Sequence, residues 1–228
     1  MQRKRATRTA IAPPQLPAQL AEVSALETLA DQSGYMQQAL LDCDFSQQSA
    51  DDLLFEYVSC KRVSFNQTSL TLAQLFDVRL ESCDLAGAEW EKAHLRRVEF
   101  SGCRLVGFRL SNASLEDVQI SRCNAELSRF WSCAFKAAHF DHCVLREASF
   151  ADSDLSGVIF RDCDLSQADL RNTKLKGADL RGSTITGVQV GIKELQGAII
   201  TPIQAIQLAG LLGVTVQEAG ELGSADSA

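Results

Sequence analysis

Between Leu41 and Val190 every residue whose number divides by five is apolar. Of these 30 positions, Phe45 through Val190, 23 are Leu or Phe, and the 120 positions between them hold only seven more. Two residues before each centre lies a second selected site, where 27 of 30 residues are Ala, Cys, Ser, Thr or Val, the exceptions being Gln48, Leu53 and Phe108. The unit is small-x-large-x-x, without an insertion. A strict period of five matches neither the 3.6 of a helix nor the 2.0 of a strand, so the pattern predicts an internal repeat.

Ala168-Asp-Leu-Arg-Asn172, Ala178-Asp-Leu-Arg-Gly182, Cys83-Asp-Leu-Ala-Gly87 and Cys163-Asp-Leu-Ser-Gln167 resemble pentapeptide repeats. The resemblance covers about two-thirds of the chain. It implies an all-β fold, a right-handed four-sided β-helix with four repeats per coil. Cys83, Cys103, Cys123, Cys143 and Cys163 recur every 20 residues, with Cys43 two steps back, and Val58, Val78, Val98, Val118 and Val158 do the same. The Val series is interrupted only by Ala138, and such columns fit a 20-residue coil. At about 4.8 Å per coil the repeats make a rod of roughly 36 Å.

The ends carry other signals. Residues 1–34 read as an N-terminal tail and cap: basic Arg3, Lys4, Arg5 and Arg8, then Pro13, Pro14 and Pro17, then a weakly helical piece with Leu20, Val23, Leu26, Leu29 and Ala30 closed by Gly34. Residues 35–200 form the β-helix. In its early coils Leu54, Tyr57, Leu72 and Phe76 occupy outward sites, where the N-terminal segment can fold back over them. Beyond the repeat, Thr201 as N-cap, Pro202 at the first helical position and Gly213 as C-terminal cap predict a short capping helix over 202–212. Val214–Val216 reads as a strand that completes a cap over 201–216, and 217–228 as a frayed polar tail.

Composition narrows the function classes. The formal charge is −7, and the repeat core holds 22 acidic and 17 basic residues, mixed in sign on every face. No basic stripe is long enough to follow phosphates, so direct nucleic-acid binding is not expected. No apolar run reaches membrane-spanning length and no signal-peptide core follows the basic start, so the expected compartment is cytoplasmic. Seven of the eight cysteines occupy the small slot and none makes a Cys-x-x-Cys pair, which predicts buried free thiols rather than a metal site. His94, His139 and His142 fall at outward sites, and His139 and His142 flank Asp141, yet nothing in the register supplies a pocket around them. Asp84, Asp154, Asp164, Asp169 and Asp179, each before a centre, read as turn residues that bond nearby amides. No catalytic, cofactor-binding or metal residues are expected, and no cofactor.

What remains is a binding surface. Val106, Leu127 and Trp131 break the polar outward pattern and border a candidate interaction surface for another protein. Phe108 in a small slot is matched by its stacked neighbours Ala88 and Ser128. Ile203, Ile206, Leu208, Leu211 and Leu212 make the helix apolar on more than one side, so it either seals the last coil or joins two chains as a homodimer. The sequence thus predicts a non-enzymatic scaffold that binds protein. The resemblance implies a rival: quinolone-resistance members of the family are rod-shaped dimers joined at their C-termini that mimic DNA to bind gyrase or topoisomerase.

Overall fold

The structure, a computed structural model, describes residues 10–24 and 28–217. They form a parallel β-solenoid of about seven turns, ending in one short helix. Every fifth residue from Gln32 to Gly187 has a positive φ, so the chain turns a corner four times in each 20-residue coil. Most corner residues are not glycine, and the left-handed conformation costs each of these roughly 1–2 kcal/mol. The coil above offsets this cost, because most corner amides donate to the carbonyl nineteen residues on, as Arg62 does to Glu81 (3.0 Å), Gln67 to Ala86 (3.0 Å) and Leu72 to Glu91 (2.9 Å).

Pairing between coils has a register of twenty. Leu75, Leu95, Leu115 and Phe135 stand in line along one sheet, and Leu70, Trp90, Leu110 and Phe130 along another. The period-five centres from Phe45 to Ile185 are buried, as are the small residues beside them apart from Gln48. Each large buried side chain contributes about 1.5–3 kcal/mol, and since a coil touches only its neighbours, that stability accumulates by stacking. Rings run along the interior, with Phe130 stacked on Phe150 and Phe140 on Phe160, both at 5.0 Å between centroids.

The exceptions to the pattern have structural reasons. The Gln48 side chain accepts the Leu29 amide (2.7 Å), so a polar group in a small slot receives the chain entering the first coil. Phe108 lies edge-on between Trp90 and Phe130, filling volume left by Ala88 and Ser128. Each turn aspartate accepts the amide two residues on, as Asp84 does from Ala86 (2.9 Å) and Asp164 from Ser166 (3.0 Å).

Both ends depart from the sequence reading. The N-terminal piece forms no helix among its described residues; Ala21–Val23 is a strand that pairs with Gln38–Leu41. An open coil presents a row of unpaired backbone groups, and only an extended segment can satisfy them. Leu26 and the basic residues before Ala10 lie outside the described residues. Of the early outward apolar residues, Leu72 remains 48% exposed, while Leu54, Tyr57 and Phe76 are half-buried.

At the other end the helix spans Pro202–Ala209 and tightens into a 3-10 turn, Gly210–Leu212, closed by Gly213 at φ 68°. Val214–Val216 forms no strand: its β-branched residues have no free edge to join, because the helix covers the end of the rod. Gln204 holds the helix there. In the coils below, a carbonyl at this position accepts the amide twenty-one residues on, as Cys163 does from Thr184 (2.9 Å). Ser183 accepts instead from the Gln204 side chain (2.8 Å), which also donates to Leu180 (2.7 Å). The expected tail after Gln217 lies outside the described residues.

Candidate functional site

The residues that the sequence singles out on the rod lie on its flat faces and corners. On the face built from Glu89–Glu91, Arg109–Ser111 and Arg129–Trp131 the outward side chains form two ridges with a shallow recess of about 250 Å³ between them. Trp131 closes one end of it, 53% exposed, its indole Nε1 donating to Asp152 (2.9 Å). Leu127, 52% exposed, occupies the corner before that strand at φ 59°; Val106 lies in the equivalent turn one coil below and is half-buried. Of the three residues the sequence singles out, Leu127 and Trp131 are therefore about half exposed, and Val106 less so.

Charges on the faces are neutralised coil against coil. Eight ion pairs among the described residues join partners twenty apart, among them Asp42 with Arg62 (2.6 Å), Lys61 with Glu81 (3.1 Å), Arg79 with Glu99 (3.0 Å) and Glu89 with Arg109. Most are exposed and individually worth under about 1 kcal/mol. They interleave basic groups among the carboxylates along the described faces. His142 belongs to this surface, with Nδ1 3.2 Å from Asp141 and Nε2 3.8 Å from Asp162, and His94 packs edge-on against Phe76.

The eight thiols are all buried and unbridged. Cys103 Sγ donates to the Leu80 carbonyl (3.3 Å), and Cys133 Sγ, on another side of the coil, to that of Leu110 (3.2 Å), so both thiols are tied to the backbone. Burial pushes the Cys133 thiol up to about 11 and raises Cys60 further. These two thiols, raised by burial, are packing elements rather than nucleophiles.

The family described as "Pentapeptide repeat region" matches residues 73–131 and 125–200, more than half of the chain. The chain is a pentapeptide repeat protein. Among solved structures it is similar to full-length QnrB1, a plasmid-mediated fluoroquinolone resistance protein: 19% identity over 86% of this chain and 99% of that one, TM-score 0.55. It is also similar to HetL of the cyanobacterium Nostoc sp. strain PCC 7120, involved in heterocyst differentiation regulation, at 21% identity over 81% of this chain and 91% of that one, TM-score 0.45. A pentapeptide repeat protein of the Arabidopsis thaliana thylakoid lumen matches at 19% identity over 54% of this chain and 89% of its own, TM-score 0.45. No protein of curated function matches. At these identities the likeness is one of fold, the four-sided β-helix.

Two further features of this pentapeptide repeat protein bear on partners. Its C-terminal helix divides by face: Leu208 is buried against the last coil with Gln204, whereas Ile203, Ile206 and Leu211 point outward, Ile203 being 72% exposed. Leu208 therefore belongs to the lid and is withdrawn from the candidate dimer contact; the side chain of Leu212 lies outside the description. No helix among the described residues is long and apolar enough to cross a membrane.

The second feature had no signature in the periodicity. Along one corner stand Asp77, Arg97 and Asp117, one coil apart, and residues 10–20 run over them. Asp77 is 1% exposed, accepts the Arg97 guanidinium through two bonds and receives the Gln15 amide (2.8 Å); Asp117 receives the Ala12 amide (3.2 Å). Burial works to raise the Asp77 carboxyl, but Arg97 and the Gln15 amide outweigh it and hold it below the ordinary aspartate value. The only trace in sequence was the alternation of sign at intervals of twenty.

Proposed function

We propose that this chain is a non-enzymatic scaffold whose faces and C-terminal end bind protein. The observation that carries the reading is the contrast between charge and apolar exposure. Cross-coil pairs offset part of the outward charge and mix its sign, while Leu127 and Trp131 on the rod and Ile203, Ile206 and Leu211 at its end remain exposed. Exposed apolar side chains of this size are candidates for contact with a partner. The helix end suits a second copy, since a two-fold axis would bring the same three residues together from each chain. The Trp131 face then serves a different protein.

The DNA-mimicking reading draws on the fold shared with QnrB1 and on the apolar C-terminal end. A mimic needs a run of acidic groups at phosphate-like spacing, and here Arg62, Arg97, Arg104 and Arg109 each sit one coil from the acid they neutralise. That pattern favours the protein scaffold. Affinity capture from native extract with the parent and a Leu127→Ser, Trp131→Ala double variant tests the reading. The parent should retain a partner that the variant, folded as judged by its melt, does not; equal recovery by both removes this face from the account.

A further inference from the structure

The N-terminal segment is bound to the rod as a ligand would be. Asp77 and Asp117 are two coils apart, about 9.6 Å at the sheet spacing. Ala12 and Gln15, whose amides reach them, are three residues apart, about 9.3 Å in a polyproline II segment. The residues between are Pro13 and Pro14, which have no amide to leave unsatisfied and hold the extended form in advance. None of residues 10–23 is buried, whereas the acceptors beneath are: Asp77 at 1% and Asp117 at 5% exposure. Arg97 fixes the Asp77 carboxylate from the side, so the acceptor stays in place whether or not the segment is present.

We propose that this corner is a docking groove for an extended x-Pro-Pro-x segment, occupied in cis by residues 10–20, and that a proline-containing segment of a partner protein replaces the resident one. This surface is separate from the Trp131 face and from the helix end. Recognition is by two main-chain amides on either side of the proline pair, read by carboxylates set two coils apart, so it depends on backbone form and little on side chains. Release uncovers charged groups that water solvates readily, and it opens no apolar core, which makes the segment a locally detachable element.

The test uses the full chain, its Gln15→Pro variant and a fluorescent peptide of residues 10–23. The substitution removes the amide that Asp77 accepts while keeping an extended backbone and leaving the rod untouched. The peptide should bind the variant roughly tenfold more tightly than the parent, because a charge-assisted bond holding the resident segment has been lost. A peptide with Ala at both proline positions should bind more weakly to either chain. In the parent, hydrogen exchange at the Ala12 and Gln15 amides should run roughly a hundredfold faster than at Val98, reporting local opening. Failure of the peptide to bind the variant, or Gln15 protection equal to that of Val98, overturns the proposal and makes the segment a permanent cap.

Discussion

Arg97 stands one coil above Asp77 and donates two hydrogen bonds to its carboxylate, the Nε bond at 2.6 Å, with 2% of the aspartate side chain and 18% of the arginine exposed. This pair differs from the other cross-coil pairs in being covered. Removing one member leaves a buried charge, so Arg97→Ala should cost about 3 kcal/mol by denaturant unfolding, against under about 1 kcal/mol for Arg62→Ala in its exposed pair. Equal small losses would mean that water reaches Asp77.

The same pair sets an acid limit. Because the folded Asp77 carboxyl titrates below its unfolded value of 3.8, its contribution is fully present above that value and is lost as pH falls through the folded one. Stability of the parent should therefore drop more steeply below about pH 4 than that of Asp77→Asn, and the two should run parallel between pH 5 and 7. Parallel curves at all pH values would contradict the assignment.

Inside the rod, the cysteine column leaves room for a thiol and little more. Cys103→Ala should be mild, whereas Cys123→Leu overfills a coil and should cost about 1–3 kcal/mol in thermal melts. All eight thiols should react with an aqueous disulfide reagent only in denaturant. A native Cys133 that reacts at pH 8 would contradict its raised value of about 11.

Ser128 Oγ is the one buried side-chain polar atom among the described residues without a hydrogen-bond partner, in the coil where Phe108 fills the slot below. Ser128→Ala should raise stability by about 1 kcal/mol, and Phe108→Ala, which empties the space between Trp90 and Phe130, should lower it by about 3–5 kcal/mol. The two effects measured by unfolding test whether volume or polarity governs this slot.

The interior was legible because every period-five residue meets its equivalent twenty residues away, so chemistry there repeats. Features made by main-chain groups were not. Ala12 and Gln15 grip the rod through amides that any residue but proline would supply, and nothing in the period of five sets Asp77 apart from other acids. The terminal helix is apolar on several sides, so sequence could not separate Leu208, which faces the last coil, from Ile203 and Ile206, which do not. Gln204 carries no mark in the sequence that its side chain replaces a backbone amide of the next coil. Trp131 and Leu127 were visible because they broke the polar rule at outward sites.

That division of the helix makes a prediction about assembly. Leu208→Glu and Gln204→Ala should lower the melting temperature by uncapping the last coil, whereas Ile206→Glu should leave the melt unchanged and shift light scattering from dimer to monomer. A monomeric parent at micromolar concentration removes the second copy from the account.

The most direct test of a neutralised, protein-binding rod is a gyrase supercoiling assay with the purified chain, run with and without a quinolone. The account predicts neither inhibition of supercoiling nor protection from the drug, because Arg62, Arg97, Arg104 and Arg109 interrupt the acidic groups along the faces. Inhibition or protection at stoichiometric protein would contradict it and make the chain a DNA mimic.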